Sequence, residues 1–176
     1  TLWRVYSMTK PITGIAAMIL VGEGKMKLDQ PIADFLPEFA NMTVLTDPEK
    51  NLDAVPAKTQ ITVRHLLTHT AGLGYSIVTK GPLLQAYLDN GITPGIISRF
   101  PIPGQRASKP TPDIKTFSER LAKLPLIAEP GTKWSYSISL DLLGRVIEVA
   151  SGMDFEAFLK TRIFEPLKMN SSYFQV

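Results

Sequence analysis

The most hydrophobic segment of the chain comprises residues 12–21 (ITGIAAMILV), which are apolar at nearly every position. A helix that is apolar on all sides is normally buried at the centre of a protein. Two glycines follow, Gly22 and Gly24, and glycine favours the left-handed backbone that ends many helices. The pattern therefore predicts a buried central helix that ends at residues 22–24.

Weaker helical signals continue along the chain. Residues 137–150 place an apolar stripe on one helical face, and Gly152 follows as a stop signal. Asp29 is predicted as an N-cap, because its carboxylate can accept from free backbone N–H groups. Only residues 2–6 and 172–176 have the character of strands. The sequence thus predicts an α+β fold, mainly helical with strands only at its edges, and further short helices at residues 28–31, 62–67, 113–124 and 154–164.

Residues 91–112 differ from the rest in composition, because they contain five of the 14 prolines and three glycines. Proline and glycine at this density predict a long irregular loop, and such loops in compact domains are often functional. We expect this loop to border the functional site. The remaining pattern shows no repeat, so residues 1–176 are predicted to form a single domain.

Composition excludes several classes of function. The net charge is only +3, without a basic cluster, which argues against a nucleic-acid partner. The longest apolar stretch, residues 15–21, is far shorter than the roughly 20 residues of a membrane span. The chain contains no cysteine, which excludes disulfides and thiolate chemistry. Localisation stays open between the cytoplasm and periplasm of a bacterium. Because no initiating Met or signal peptide is present, we expect a fragment or a processed product.

The first candidate chemistry is the pair Ser7 and Lys10, directly before the apolar helix. Residues three apart on a helix share one face, with Cβ atoms roughly 5–6 Å apart, so the amine can reach the hydroxyl. Lysine in apolar surroundings can act as a base and activate a serine nucleophile. The S-x-x-K pattern alone is common by chance. Its position beside a buried helix makes it a candidate nucleophile site.

Five segments together carry a family resemblance. In chain order they are residues 7–11 (SMTKP), 23–29 (EGKMKLD), 66–73 (LLTHTAGL), 130–137 (PGTKWSYS) and 163–169 (IFEPLKM). The chain resembles the superfamily of class C β-lactamases and D-alanyl-D-alanine carboxypeptidases. Within it, the chain is most similar to the family VIII carboxylesterases. The resemblance implies a β-lactamase/transpeptidase-like fold.

The resemblance also implies roles for particular residues. Ser7 is expected to be the acylated nucleophile, Lys10 its proton acceptor, and Tyr136 the residue that shuttles the proton to the leaving group. The β-lactamase pattern has Tyr-x-Asn at this second motif, whereas this chain has Ile138 in place of the asparagine. The difference favours esters over β-lactams. Catalysis is expected to need no metal and no cofactor, and the predicted substrate-binding residues are Trp134, Ser137 and Ile138, with core packing as an equal alternative for Trp134.

The third motif of the superfamily, a Lys-Thr-Gly or Trp/His-x-Gly triplet, is absent from these residues. In the family, its strand supplies one N–H of the oxyanion hole, and family members are longer at both ends. Loss of one such donor typically reduces turnover on the order of 100- to 1,000-fold. We therefore expect a companion chain or a missing segment to carry this motif.

The two histidines, His65 and His69, are predicted to be structural. No G-x-S-x-G motif is present to support a Ser-His-Asp triad, and the His pair lacks the neighbouring Glu of a zinc site. Three functions stay open. The first is hydrolysis of a small-molecule ester through an acyl-enzyme on Ser7. The alternatives are β-lactamase or D-Ala-D-Ala carboxypeptidase activity and a non-catalytic binding or scaffold role on the same fold.

Overall fold

The computed structural model describes residues 1–93 and 111–174, so most of the predicted loop at residues 91–112 lies outside the described residues. Short 3-10 turns precede α1 at Tyr6–Met8 and follow it at Ile32–Asp34 and Pro37–Phe39. A π-helical turn, Lys160–Phe164, continues α6. The regular elements of the described ranges are α1 (Thr9–Gly22), β1 (Thr43–Leu45), β2 (Ala54–Pro56), α2 (Val63–Leu67), α3 (Gly81–Asp89), α4 (Ile114–Leu121), α5 (Ser139–Ser151) and α6 (Phe155–Leu159).

Helix α5 is the centre of the helical packing, since α1, α2, α4 and α6 all contact it. Four of its apolar side chains are completely buried: Leu142, Leu143, Val146 and Ile147. The helix ends at Gly152, whose φ of 70° places it in the left-handed region that glycine adopts readily. The prediction of an amphipathic helix that ends at this glycine is confirmed.

Helix α1 is confirmed as a helix, but the prediction that it is buried on all sides is wrong. Its inner face is buried at Thr13, Ala16, Ala17 and Leu20. On the opposite face the side chains of Ile15 and Met18 are 50% and 48% exposed. The physical reason is that α5 and α6 pack against one side of α1 only.

The predicted end of α1 at residues 22–24 is confirmed, with Gly22 as the last helical residue and Gly24 in the turn that follows. Gly24 adopts a φ of 72°, which favours glycine. The N–H of Lys25 then donates to the carbonyl of Leu20 at 2.9 Å and satisfies one of the last helical acceptors. The chain thereby leaves the helix in a turn at the edge of the core.

The α+β class is confirmed, but the strands lie elsewhere than predicted. Strands β1 and β2 form an antiparallel pair with Val44 opposite Val55, and Leu126 forms a single parallel bridge to Val44. Residues 2–6 and 172–174 are not in strands. A strand needs a neighbouring strand for its backbone groups, and in the described residues these segments have none.

One predicted helix start is also wrong. Residues 28–30 form a turn, and Asp29 does not cap a helix. Its carboxylate instead accepts two hydrogen bonds from the Arg64 guanidinium, at 2.7 and 2.8 Å. The predicted helices near residues 62–67, 113–124 and 154–164 are confirmed, and α3 was not predicted. Within the described ranges, every helix is too short or too polar to cross a membrane.

Candidate active site

Three side chains from two distant parts of the sequence meet at the N-terminal end of α1. The Ser7 hydroxyl oxygen lies 2.7 Å from the Tyr136 phenol oxygen. Lys10 Nζ donates to the same Ser7 oxygen at 3.2 Å. The structure therefore brings together the three residues that the sequence singles out as catalytic candidates, and their catalytic roles stay a prediction.

Local backbone geometry places Ser7 and Lys10 on one face. Ser7 is the middle residue of the 3-10 turn at Tyr6–Met8, which runs directly into α1. Lys10 follows one turn later on the same side, as the i, i+3 spacing requires. Tyr6, directly before the serine, has a φ of 43°, which is unfavourable for a non-glycine residue. Strained backbone of this kind is concentrated at functional sites.

Tyr136 is positioned by backbone hydrogen bonds between residues 69–74 and residues 127–138. The N–H of Ser135 donates to the carbonyl of His69 at 2.9 Å, and the N–H of Ile138 donates to the carbonyl of Gly74 at 3.1 Å. Farther along, the N–H of Ile127 donates to Gly72 at 2.7 Å. A Cβ at Gly72 would stand 2.0 Å from a backbone oxygen, so this close approach requires glycine.

The Lys10 ammonium lies over two aromatic rings. Its Nζ is 5.0 Å from the ring centroid of Tyr136 and 5.7 Å from that of Tyr75. The two tyrosine rings are edge-to-face with centroids 5.5 Å apart. Cations within about 6 Å of an aromatic face are attracted to the ring. The buried Tyr75 ring thus contacts both Lys10 and Tyr136. No local sequence signal identifies these contacts, because they join residues 65 and 61 positions apart.

The pKa values of the two tyrosines are shifted in opposite directions. Burial raises the pKa of the Tyr136 phenol, but its interactions with Lys10 and Ser7 outweigh that effect, so the pKa lies below its usual value. Burial, together with the nearby charges of Asp141 and Tyr136, raises the pKa of Tyr75 to about 12. Titratable neighbours with opposite shifts suit separate acid and base roles. Tyr136 is therefore the tyrosine suited to accept a proton from Ser7.

Both histidines accept a backbone N–H, as expected of structural histidines. The His65 ring accepts from the N–H of Thr62 at 3.2 Å in a capping box at the start of α2. The His69 ring accepts from the N–H of Ser137 at 3.2 Å. Burial lowers the pKa of both rings, and the Lys10 charge lowers that of His69 further. Both shifts favour the neutral imidazole.

The predicted substrate-binding residues occupy different environments. The side chains of Ser137 and Ile138 are each only 1% exposed, and the Ser137 hydroxyl is hydrogen-bonded to Ser139 at 2.6 Å. Trp134 is 65% exposed and contacts the His69 ring edge-on, so the core-packing alternative for this residue is wrong. The burial of the first two argues against side-chain contact with a substrate, whereas Trp134 is accessible. All three roles remain predictions.

No group of three or more His, Asp or Glu side chains in the described ranges is arranged to bind a metal ion.

The fold is of the β-lactamase/transpeptidase-like class. The chain belongs to the Beta-lactamase family, whose family model matches residues 1–176.

Known relatives include enzymes of two kinds. The chain is 37% identical to "Esterase EstB" of Burkholderia gladioli over 99% of the length of this chain. It is 34% identical to a monacolin J acid methylbutanoyltransferase of Aspergillus terreus over 98% of the length of this chain. Each match covers 38% of the relative. Among solved structures, "EstCE1, a hydrolase with promiscuous acyltransferase activity" matches with a TM-score of 0.69 and 28% identity, over 94% of this chain and 37% of that one. The chain thus spans about two fifths of these relatives.

Proposed function

We propose that the protein containing this chain is a serine hydrolase that cleaves small carboxylic esters through an acyl-enzyme on Ser7. The observation that carries this proposal is the placement of the Ser7 oxygen 2.7 Å from the Tyr136 phenol and 3.2 Å from the Lys10 amine. A serine needs an adjacent base to become a nucleophile, and both distances are within the range of direct proton transfer.

Acylation follows from this arrangement. The Ser7 oxygen attacks the ester carbonyl while its proton passes to Tyr136, whose lowered pKa supports a phenolate beside Lys10. When the tetrahedral intermediate collapses, the carbon–oxygen bond to the alcohol breaks and the alcohol leaves with the proton from Tyr136. The sequence suggests Lys10 as the acceptor. The shorter distance supports Tyr136 as the immediate acceptor, with Lys10 stabilising its negative charge.

Deacylation uses the same residues in reverse. Tyr136 accepts a proton from water, the resulting hydroxide attacks the acyl carbon, and the Ser7 oxygen leaves with that proton restored. The products are a carboxylic acid and the original serine. These steps involve no electron transfer, and water is the only co-reactant.

The environment of Ile138 supports an ester rather than a β-lactam substrate. Ile138 stands where the β-lactamase pattern has an asparagine, and its side chain is buried. It therefore provides no amide group that could contact a β-lactam. The 37% identity to an esterase supports the same choice. β-Lactamase and D-Ala-D-Ala carboxypeptidase activity remain the alternatives within this mechanism.

A second function, acyl transfer to an alcohol, is favoured by the relatives. One is named a methylbutanoyltransferase, and EstCE1 is described as a hydrolase with promiscuous acyltransferase activity. In both reactions the acyl-enzyme is the same and only the acceptor differs. Adding a primary alcohol during ester turnover tests this function, because transfer produces a new ester in place of the acid.

The decisive experiment measures p-nitrophenyl butyrate hydrolysis by the complete polypeptide that the gene encodes, with nitrocefin as a parallel β-lactam substrate. Ser7→Ala is compared with Ser171→Ala, which removes an exposed serine outside the site. We expect butyrate turnover that only Ser7→Ala abolishes, and a phosphonate probe that labels only proteins retaining Ser7. Nitrocefin turnover would favour the β-lactamase alternative. Absence of both turnover and labelling would favour a non-catalytic scaffold.

A further inference from the structure

His69 bonds to the backbone on both sides of Tyr136. Its carbonyl oxygen accepts from the N–H of Ser135 at 2.9 Å, and its ring Nδ1 accepts from the N–H of Ser137 at 3.2 Å. One residue thus holds the N–H groups of both residues that flank the tyrosine, in the Trp134–Ser135 and Tyr136–Ser137 peptide groups. Hydrogen bonds on both flanks restrict rotation of the backbone that carries the Tyr136 side chain.

The His69 ring also contacts the Tyr136 ring directly. The ring centroids are 4.9 Å apart with the planes inclined by 42°. A second aromatic ring, that of Tyr75, also contacts the Tyr136 ring in an edge-to-face arrangement. Packing of this kind limits the rotamers that an aromatic side chain can adopt. Together with the backbone bonds, it directs the phenol oxygen to Ser7.

The bond from Ser137 determines the tautomer of His69. A backbone N–H can only donate, so Nδ1 must be unprotonated, and a neutral ring then carries its proton on Nε2. The Ser137 hydroxyl lies 3.1 Å from the same Nδ1 and 2.6 Å from the Ser139 hydroxyl. A proton on Nδ1 would remove the acceptor of the Ser137 N–H. The neutral Nε2–H form is therefore the one that positions Tyr136.

The backbone of His69 is in a conformation that is uncommon for residues other than glycine. Its φ of 56° lies in the left-handed region, which glycine adopts without strain and which asparagine, aspartate and histidine adopt more often than other residues. If the position served only the turn, glycine would fit it with less strain. The histidine contributes a ring acceptor and a ring contact that glycine lacks, and both are directed at residues 136 and 137.

We propose that His69 is a positioning residue for catalysis, which fixes the orientation of the Tyr136 phenol through its hydrogen bonds with the N–H groups of Ser135 and Ser137 and through the ring contact. This inference rests on the proposed role of Tyr136 in proton transfer. His69 does not itself contact the Ser7 oxygen.

Two variants of the complete polypeptide separate positioning from folding. His69→Gly accepts the φ of 56° but removes both the ring acceptor and the ring contact. His69→Asn also accepts this φ and retains an amide oxygen near the place of Nδ1. We expect His69→Gly to lower kcat roughly 10- to 100-fold with little change in KM, because small misplacements of a catalytic group have effects of this size. We expect His69→Asn to recover most of that loss.

Nuclear magnetic resonance of ring-labelled tyrosine and histidine provides a test that does not depend on turnover. Tyr136, assigned with Tyr136→Phe, should titrate closer to the ordinary tyrosine range in His69→Gly than in the wild type. In the wild type at neutral pH, His69 should show the Nε2–H tautomer. An Nδ1–H tautomer would overturn the proposal. The tautomer is measured on the wild type, so this result does not depend on whether a variant folds. Unchanged kcat and unchanged Tyr136 titration in His69→Gly would also overturn it, as would equal kcat losses in both variants.

The same data separate the failure of the proposed function from the failure of this inference. If the wild type hydrolyses no ester but the Tyr136 titration responds to His69→Gly and not to His69→Asn, the positioning role stands and the esterase proposal fails. If ester turnover requires Ser7 but neither kcat nor titration responds to His69→Gly, the esterase proposal stands and the positioning role fails.

Discussion

The two segments that form the candidate site differ in how firmly the described part of the chain positions them. Residues 135–139, the tyrosine segment, are bonded to residues 69–74 and contain three nearly completely buried residues. Residues 1–8, the nucleophile segment, are exposed at every position and include the apolar side chains of Leu2, Trp3 and Val5. The proton-transfer half of the site is thus preorganised by the helical core, whereas the placement of the nucleophile depends mainly on the start of α1.

This difference matters because catalytic groups need a supporting structure that limits their movement. Tyr136 has that support in two backbone bonds and two ring contacts. In the described residues, Ser7 has the turn that ends at Met8, whose N–H donates to Val5 at 2.9 Å, and its bonds to Tyr136 and Lys10. The comparison predicts that changes in the two segments will affect different properties.

The largest expected effect separates the two tyrosines that contact Lys10. Tyr136→Phe removes the phenol that exchanges a proton with Ser7, and general acid–base groups of this kind contribute about 100- to 10,000-fold. Tyr75→Phe retains the ring and removes only a phenol whose pKa is raised to about 12, so we expect a much smaller loss. Single-turnover acylation of the complete polypeptide measures both. Equal losses would contradict the assignment of proton transfer to Tyr136 alone.

The next effect is on stability and concerns the contact that supports the tyrosine segment. Gly72→Ala would place a Cβ 2.0 Å from the Ala128 carbonyl oxygen at a φ of 76°. Strain and overpacking together should lower the free energy of unfolding on the order of 2–4 kcal/mol. Gly22→Ala is the matched control, because a Cβ at that helical position meets nothing within 4 Å. Urea unfolding compares them, and similar midpoints for both variants would contradict the close approach at Gly72.

The contrast between the segments also explains what the sequence could predict. Helices α1 and α5 were predictable because long apolar patterns and the following glycines are local signals. The pairing of Ser7 with Lys10 was also predictable from a local signal, because residues three positions apart lie on the same face of a helix. Tyr136 was found only through its motif, because no local pattern indicates that residue 136 lies beside residue 7.

Other features depend on contacts that no local pattern contains. Strands β1 and β2 have three residues each, too few for a recognisable alternation. Helix α3 did have a signal, with Pro82 in its first turn and the buried Leu83 and Tyr87 four positions apart, but it was not predicted. The exposure of Ile15 was not predictable, because hydrophobicity alone does not say which neighbours cover a helix. The ring contacts of His69 likewise require the fold.

A smaller effect tests the exposed face of α1, the helix that directly follows the nucleophile segment. Ile15 and Met18 form an exposed apolar stripe on α1, and exposed apolar patches promote association. We expect the 176-residue chain produced alone to associate as its concentration rises in sedimentation experiments. The double variant Ile15→Gln with Met18→Gln should increase the monomer fraction. Leu167→Gln, an exposed leucine elsewhere, is the control. A cooperative thermal melt from a monomer at all concentrations would contradict this expectation.

The smallest expected effect is a pH dependence that arises from the tyrosine segment. The pKa of His69 is lowered by burial and by Lys10, so between that pKa and the ordinary value of about 6.5 the unfolded chain binds more protons than the folded one. The free energy of unfolding should therefore fall as the pH decreases from 7 to 5, and His65 contributes in the same direction. His69→Asn carries no titratable ring and should make this dependence shallower. Urea midpoints at the two pH values measure it, and identical slopes for the variant and the wild type would mean that the His69 ring is not kept neutral by folding.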